Sequence, residues 1–343
     1  MAGNRNSIFQ WLSIAKLWLG ARPTTRRLKH ILEYLVYRMA LACVRLVPLD
    51  RAASILASLC RRYSSRSRRH LRALANLERA FPEKAAVERE AIALAMWENV
   101  GRVIAEAAHI NTFLSEPHRY DPIDMRLLDV YLPGRGLSIV ASLHTGNWEI
   151  GLLPSFLRGF KPAAFYRTIA NPYVERHVKA SREKIYCSGL FPVRGEVQGR
   201  VRADMRSRQL VDCLRRGAPV GILTDQYDHD GIVVPFFGSG IRVSRGPATL
   251  AIQFRARLCV ARTVRIGRHS CFIGEAVEIT LPDSGDRHAN VHAATAAIMR
   301  HFETWIRQFP EQWLWSQAPF TASDAIEPSA GPVEAGIQQE RAP

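Results

Sequence analysis

The chain has 343 residues, 47% of them hydrophobic, which is enough for a sizeable core and excludes a wholly disordered protein. Its formal net charge is +16, and residues 1–70 contribute +12 of this, with 14 Lys or Arg against two acids. Such a basic segment suits an anionic membrane surface or nucleic acid. Six scattered cysteines without a C-x-x-C pair suggest neither a zinc cage nor a disulfide framework, and they favour a reducing, cytosolic environment.

The first hundred residues are predicted to be helical. Residues 31–47 are apolar but carry Glu33, Arg38 and Arg45, so they are too short and too charged to span a bilayer comfortably. Arg38 and Arg45 are seven residues apart and lie on one helical face. We expect an interfacial helix flanked by arginines, with a soluble core helix as the alternative. A further helix is predicted from residue 85 to about residue 110.

From residue 137 the pattern changes to alternating β-like and helical stretches. The predicted strands are 137–143, 163–167, 220–224, 258–264 and 271–279, and the predicted helices are 173–187, 201–216, 247–255 and 289–308. This alternation predicts an α/β fold with a mixed, largely parallel sheet flanked by helices, behind an N-terminal helical membrane-associated segment. We divide the chain into a basic membrane-associating region (1–70), a catalytic α/β domain with a helical N-terminal part (71–318) and a disordered tail (319–343).

The stretch S-L-H-T-G-N-W-E-I-G, residues 142–151, places His144 and Glu149 five positions apart. On a continuous helix these residues would lie about 140° apart, so they meet only if the chain turns between them. Gly146 and Asn147 favour such a turn, and the stretch is therefore predicted as strand, tight loop and helix. A histidine held by a carboxylate is suited to general-base catalysis.

Polar residues also follow the next two predicted strands. Tyr166 and Arg167 stand at the end of 163–167, and Asp225 and Gln226 come after 220–224. Ligands gather at the carboxyl ends of strands in α/β sheets, so we expect these groups to approach His144. The arginine would neutralise an oxyanion or bind a phosphate.

Four motifs in this order carry a family resemblance: H-T-G-N-W-E, Y-R-T-I-A-N-P, L-T-D-Q and P-F-F-G. With A-N-L-E-R-A-F-P-E at 75–83 and W-E-N-V-G-R at 97–102, the chain resembles the lipid A biosynthesis acyltransferases from about residue 32 to 315. These are the late lauroyl and myristoyl transferases of Gram-negative bacteria, within the lysophospholipid acyltransferase-like superfamily.

The resemblance implies an O-acyltransferase that takes its acyl group from an acyl carrier protein thioester. The acceptor would be a lipid A precursor with a free hydroxyl, and the location would be the cytoplasmic face of the inner membrane. His144 would remove the hydroxyl proton and Glu149 would orient His144, with no metal, cofactor or covalent enzyme intermediate.

The resemblance also implies a set of substrate-binding residues. We expect Arg167 to bind an anion or oxyanion and Asn147 to contact substrate. Asp225 and Gln226 would shape the site, unless Asp225 only caps the following loop. Phe236, Phe237 and Gly238 would wall the acyl groove, although the two phenylalanines are equally consistent with ordinary core.

One departure concerns the acceptor. The family pattern W-x-W-x-H-x-R here reads W-L-W-S-Q-A-P at 313–319, so the acceptor headgroup contacts differ. Acceptors such as a glycerolipid, a phosphatidylinositol mannoside or an amino lipid therefore stay open.

Two other classes of function compete with the acyltransferase. A metallohydrolase would add Asp228, His229 and Asp230 to His144 and Glu149, but no helical zinc motif accompanies them. A basic membrane or nucleic-acid adaptor is supported only by charge. The aromatic residues are not interleaved with basic ones as stacking platforms would require, so we expect no nucleic-acid partner.

Overall fold

The computed structural model describes residues 23–122, 137–192, 200–267, 269–318 and 320. Of the predicted regions, residues 1–22 of the basic segment and residues 319 and 321–343 of the tail lie outside the described residues. Within the predicted tail, Phe320 is described, and its ring lies 5.8 Å from that of Phe236. The division into three regions stays a prediction.

The described elements alternate as expected beyond residue 137. The α-helices are α1 (Pro23–Arg45), α2 (Leu49–Ser64), α3 (Arg68–Ala80), α4 (Ala86–Ala108), α5 (Ile110–Ser115), α6 (Leu153–Leu157), α7 (Pro172–Arg182), α8 (Arg200–Arg215), α9 (Gly246–Phe254) and α10 (Arg287–Gln308). The strands are β1 (Tyr120–Pro122), β2 (Ser138–Ser142), β3 (Ala163–Tyr166), β4 (Gly189–Pro192), β5 (Val220–Leu223), β6 (Tyr227–Phe236), β7 (Ser239–Val243), β8 (Arg257–Ile266) and β9 (Cys271–Ile279). The predicted α/β class is confirmed, while β1, β4 and the β6–β7 hairpin were not predicted.

The main sheet has seven strands in the order β1-β9-β8-β2-β5-β3-β4. All neighbours are parallel except β8 and β9, so the sheet is mixed and largely parallel, as predicted. Strand β2 lies between β5 and β8, and the chain leaves it first toward one edge and later toward the other. The carboxyl end of β2 is therefore a topological switch point, where ligands bind in open α/β sheets.

Both faces of the sheet are buried, which explains the near-continuous apolar strands. On one face, Ile139 and Ala141 join a core with α9, α10 and the C-terminal tryptophans. On the other face, Val140 joins Leu152 and Leu153, which lie on and just before α6. The second face carries the cavity described below.

Helix α1 packs against α7 through one side and exposes the other. Asn171, the N-cap of α7, donates from Nδ2 to the carbonyl of His30 (2.8 Å) and to Glu33 (2.9 Å). The large apolar side chains exposed along α1 are Leu28, Leu32, Leu35, Val36 and Met39. No helix in the described ranges is both long and apolar enough to cross a bilayer. The predicted helix at 31–47 is present, and its membrane association stays a prediction.

Candidate active site

The turn after β2 sets the position of His144. Gly146 adopts φ +54°, and a Cβ atom there would lie 2.0 Å from the carbonyl oxygen of Thr263, so only glycine fits. Asn147 then caps the short 3₁₀ helix Trp148–Ile150 by accepting from the Glu149 amide at 3.0 Å. The predicted strand, tight loop and helix are confirmed.

The C-terminal segment holds this loop from the other side. The amide of Leu314 donates to the carbonyl of His144 (3.1 Å), and the amide of Gly146 donates to the carbonyl of Gln312 (3.3 Å). Thr145 forms an isolated antiparallel bridge with Trp313. These contacts with residues 312–314 therefore hold the backbone of His144 in place.

Asp225 is the carboxylate that contacts His144. Oδ1 of Asp225 lies 2.7 Å from Nδ1 of the imidazole, and Oδ2 accepts from the His144 amide at 2.8 Å. The indole Nε1 of Trp313 also donates to Oδ2, at 2.7 Å. Asp225 is almost completely buried, so its two oxygens serve this arrangement rather than solvent.

The charge state of Asp225 determines the imidazole tautomer. Burial alone would raise the pKa of this carboxyl group, but the His144 ring and the hydrogen bonds from His144 and Trp313 lower the pKa below its ordinary value. An ionised carboxylate only accepts hydrogen bonds, so the proton of neutral His144 lies on Nδ1. Nε2 is then left to accept a proton.

Glu149 has a different partner from the one expected. Its Oε2 accepts from Nε of Arg182 at 2.8 Å, and its Oε1 accepts from Nη2 of Arg182 at 2.5 Å. This two-point ion pair joins the start of the 3₁₀ helix to the end of α7. The orientation of His144 that the sequence assigned to Glu149 is provided in the structure by Asp225, because the two adjacent strands β2 and β5 bring their ends together.

A cavity of about 180 Å³ opens beside His144 on the second face of the sheet. Its lining includes one cross-strand row of residues, Leu190, Ala164, Gly221 and Val140, on β4, β3, β5 and β2. Glycine and alanine at the centre of this row leave the space open. The result is an apolar slot that ends at a histidine.

Charged groups border the same cavity. Arg167, Glu149 and Arg182 line it together with His144. Arg167 is exposed and has no carboxylate partner among the described residues. Arg167 was predicted to approach His144, and the two residues do line the same cavity.

Gln226 also contacts the imidazole of His144. Its Nε2 atom is 3.3 Å from Nε2 and 3.5 Å from Nδ1 of the ring, and it donates to Oε1 of Gln317 at 2.7 Å. Gln317 stands where the family pattern has histidine. The sequence did not predict this contact, because 91 residues separate the two glutamines.

Of the predicted substrate-binding residues, Arg167 lines the cavity, Asp225 and Gln226 contact His144 without lining it, and the others lie elsewhere. Asn147 is fully buried and donates to Oε2 of Glu106 at 2.9 Å. Phe237 packs in an aromatic cluster with Phe81 and Trp315, and Gly238 follows it at the β6–β7 turn with φ +70°. Their expected contact with substrate has no counterpart in the lining, and the structure fits the ordinary-core alternative for Phe237.

A buried polar network that was not predicted supports the His144 loop. Glu106 pairs with Arg265 and accepts from Oγ of Ser270 at 2.8 Å. Asn99 accepts from Nε of Arg265 at 3.0 Å and donates to the carbonyl of Gly146 at 2.9 Å. Asn99 belongs to the motif W-E-N-V-G-R, which was the only signal in the sequence.

The described residues contain no group of three or more His, Cys, Asp or Glu side chains arranged to hold a metal ion. The residues considered for a hydrolase, Asp228, His229 and Asp230, lie near the start of β6. The side chains of His229 and Asp230 are more than 90% exposed.

Sequence similarity to known proteins identifies the family. The family described as bacterial lipid A biosynthesis acyltransferase matches residues 21–321, most of the chain, which confirms the resemblance. A phosphatidylinositol mannoside acyltransferase of Mycolicibacterium smegmatis is 26% identical over 200 residues, covering 55% of this chain and 58% of that protein. The aligned part is thus little more than half the length of that relative.

Proposed function

The chain belongs to the bacterial lipid A biosynthesis acyltransferase family, and on that premise we propose that it moves a fatty acyl group from an acyl carrier protein thioester to a lipid hydroxyl. The observation that carries the proposal is the pairing of His144 with Asp225 beside the apolar cavity. Asp225 occupies Nδ1, so Nε2 serves as the base.

The reaction needs one proton acceptor and one leaving group. The acceptor hydroxyl gives its proton to Nε2 of His144 while its oxygen attacks the thioester carbonyl carbon. Asp225 stabilises the imidazolium that forms. The tetrahedral intermediate collapses with cleavage of the C–S bond, the pantetheine sulfur takes the proton from His144, and an ester remains. Every atom is accounted for without a metal, a cofactor or a covalent enzyme intermediate.

Two nearby groups are suited to stabilise the intermediate's oxyanion. Arg167 lines the cavity and presents a guanidinium group, while the Gln226 amide lies 3.3 Å from the His144 base. Preorganised donors of this kind contribute most when they point at developing charge. We assign the acyl chain to the apolar slot, whose cross-strand row of Ala164, Gly221 and Val140 offers no polar side chain.

We propose a lipid A precursor as the acceptor. A phosphatidylinositol mannoside is the second candidate, favoured by the named activity of the mycobacterial relative and by Gln317 in place of the family's histidine. Both acceptors are glycolipids with a free hydroxyl and at least one phosphate. The chemistry at His144 is the same for either.

We further propose that the enzyme works at the cytoplasmic face of the inner membrane. The exposed apolar side chains of α1 form one stripe at helical spacing, and α1 carries five Lys or Arg and one His against one acid. A helix of this kind inserts its apolar side between anionic headgroups. The acceptor then reaches His144 without leaving the membrane.

The test is acyl transfer by the purified full chain. Acyl carrier protein loaded with labelled laurate or myristate is incubated with a lipid A precursor or with a phosphatidylinositol mannoside, and products are identified by mass spectrometry. Substitution His144→Ala should reduce turnover by about 10²- to 10⁴-fold without loss of folding. Near-normal transfer by a folded His144→Ala protein would exclude the mechanism, and no transfer by the wild type to either lipid would exclude the function.

A further inference from the structure

A group of cations surrounds the junction between α1 and α7. Arg38 and Arg45 lie on one face of α1, two turns apart, and Lys184 follows the end of α7. The ring of Tyr37 on α1 contacts the ring of His177 on α7, with 5.5 Å between centroids. We call Arg38, Arg45 and Lys184 the cationic patch.

The electrostatics of Tyr37 and His177 place the patch around this ring contact. Burial raises the pKa of Tyr37, and the charges of Arg45, Arg38 and, more weakly, Arg182 act in the opposite direction. Burial lowers the pKa of His177, and Arg38, Arg45 and Lys184 lower it further. Arg182, two residues before Lys184 at the end of α7, lines the cavity beside His144.

The three cations of the patch hydrogen-bond only to neutral acceptors within the described residues. Arg38 donates to the hydroxyl of Tyr34 (3.0 Å), Arg45 to the carbonyl of Ala108 (2.9 Å) and Lys184 to the side chain of Asn111 (2.7 Å).

Three other cations of α1 and α7 differ, because each of them has a carboxylate partner. Lys29 pairs with Glu33, Lys179 with Glu183 and Arg182 with Glu149. The positive charge of the patch is therefore not neutralised by any described carboxylate.

The two arginines of the patch also have a defined position around the helix axis relative to the apolar stripe of α1. At 3.6 residues per turn, Arg38 and Arg45 lie on the flank between the side of α1 packed on α7 and the exposed stripe Leu28, Leu32, Leu35, Val36 and Met39. If that stripe rests among acyl chains, the flank lies at the level of lipid headgroups, where phosphates are found.

We propose that Arg38, Arg45 and Lys184 bind a phosphate group of the lipid acceptor, next to the cavity where its hydroxyl is acylated. This inference rests on the proposed acyl transfer and adds the recognition element for the acceptor. A guanidinium group donates two parallel hydrogen bonds to phosphate oxygens, and an ammonium group adds a further donor. Anchoring the phosphate fixes the acceptor relative to His144.

The test is a kinetic comparison in nonionic detergent micelles, which removes the bilayer as a source of phosphate. The variant is Arg38→Gln/Arg45→Gln, and the control is Arg287→Gln/Arg300→Gln, two exposed arginines of α10. The acceptors are a phosphorylated lipid A precursor and the same lipid after phosphatase treatment.

We expect the patch variant to raise KM for the phosphorylated acceptor by about 10- to 100-fold, with kcat within about twofold, because charge-assisted hydrogen bonds are lost. The dephosphorylated acceptor should have equal KM values with wild type and variant, and the control should behave as wild type. Substitution Arg38→Lys/Arg45→Lys, which keeps the charge, should give an intermediate KM.

Two kinetic outcomes would overturn the proposal. An equal rise in KM for both acceptors would show that the arginines support packing or micelle contact, and a rise confined to KM for the acyl donor would assign the patch to the pantetheine phosphate.

Direct binding separates this inference from the proposed function. Monomeric dihexanoyl phosphatidic acid is titrated calorimetrically into the wild type, the patch variant and the control. Binding that the patch variant alone loses supports the phosphate site even if the wild type acylates neither acceptor. Equal binding by all three proteins, or no binding by the wild type, overturns it.

Discussion

Nδ1 of His144 and Oδ1 of Asp225 are 2.7 Å apart, although 81 residues separate them in the chain. Strands β2 and β5 are hydrogen-bonded neighbours, and both residues follow the carboxyl ends of these strands. Asp225 also receives the His144 amide and the indole of Trp313. The carboxylate therefore fixes both the backbone and the ring of the proposed base.

Removing the negative charge of Asp225 should impair catalysis more than folding. In Asp225→Asn the amide keeps the shape of the side chain but does not stabilise an imidazolium ion. We expect kcat to fall by about 10²- to 10⁴-fold while KM for the acyl donor stays within a few-fold. Steady-state acyl transfer measures both constants, with circular dichroism as the folding control. Retention of wild-type kcat would remove Asp225 from the mechanism.

Asp225 should also make stability depend on pH in acid. Its pKa in the folded chain lies below the ordinary value of 3.8, so the unfolded chain binds more protons at low pH. The stabilisation is present above that value and is lost as the pH falls through the folded pKa. The difference in unfolding free energy between the wild type and Asp225→Asn should therefore shrink from pH 6 to pH 3.

Urea denaturation followed by tryptophan fluorescence measures this difference. Asp230→Asn, at a side chain 98% exposed, is the matched control and should show little pH-dependent difference from the wild type. A difference for Asp225→Asn that stays constant across the range would contradict the assignment.

The pair Glu149 and Arg182 should behave as one unit. If it forms a wall of the cavity, Glu149→Gln and Arg182→Gln should lower kcat/KM by similar factors. The double variant should then be less impaired than the product of the two, with a coupling of about 0.5–3 kcal/mol. If Glu149 instead acts through His144, Glu149→Gln should match Asp225→Asn in kcat and Arg182→Gln should not. A double-mutant cycle on kcat/KM separates the two.

The turn at His144 could be predicted from the sequence, but the carboxylate that contacts His144 could not. Gly146 and Asn147 carry local signals, because positive φ and helix capping depend on the residue itself. Which carboxylate contacts His144, Glu149 or Asp225, depends on the order of the strands in the sheet. That order places β5 beside β2, and neither segment's own sequence indicates it. Glu149 is closer to His144 along the chain, but in the folded structure Glu149 pairs with Arg182.

The elements that were not predicted have physical reasons of the same kind. Strand β4 is only four residues long and includes Gly189 and Pro192, which are poor strand formers. Strand β6 opens with polar residues and contains Pro235, so its pattern resembles a loop. The buried pair of Glu106 and Arg265 joins positions 159 residues apart, and no local pattern announces such a contact.

Gly221 should set the depth of the apolar slot. It lies between Val140 and Ala164 in the cross-strand row, and a Cβ atom there would be 2.9 Å from Cδ1 of Leu152, the end of a side chain that is able to shift. Gly221→Ala and Gly221→Val should progressively favour shorter donors. Each CH₂ excluded from the slot costs about 0.8 kcal/mol, so the ratio of kcat/KM for C16 over C12 donors should fall at least about tenfold in Gly221→Val.

The control for the slot is Gly246→Ala, a glycine at the start of α9 outside the cavity lining. Its C16-to-C12 ratio should equal that of the wild type. An unchanged ratio in Gly221→Val would mean that the acyl chain lies elsewhere.

The exposed stripe of α1 should determine membrane binding. Leu32 and Met39 are 55% and 64% exposed, so Leu32→Asp and Met39→Asp should leave the fold intact. Inserting a leucine side chain into an apolar layer is worth about 1.5–3 kcal/mol, and a carboxylate is also repelled by anionic lipid. Each substitution should weaken binding to vesicles of phosphatidylethanolamine and phosphatidylglycerol by about tenfold or more in a sedimentation assay.

Val87→Asp on α4, at a position 74% exposed, is the matched control and should sediment like the wild type. Activity should fall in parallel on acceptor embedded in vesicles and stay near normal on acceptor dispersed in detergent, because only the first route requires docking. Unchanged sedimentation of both α1 variants would assign membrane contact to another surface.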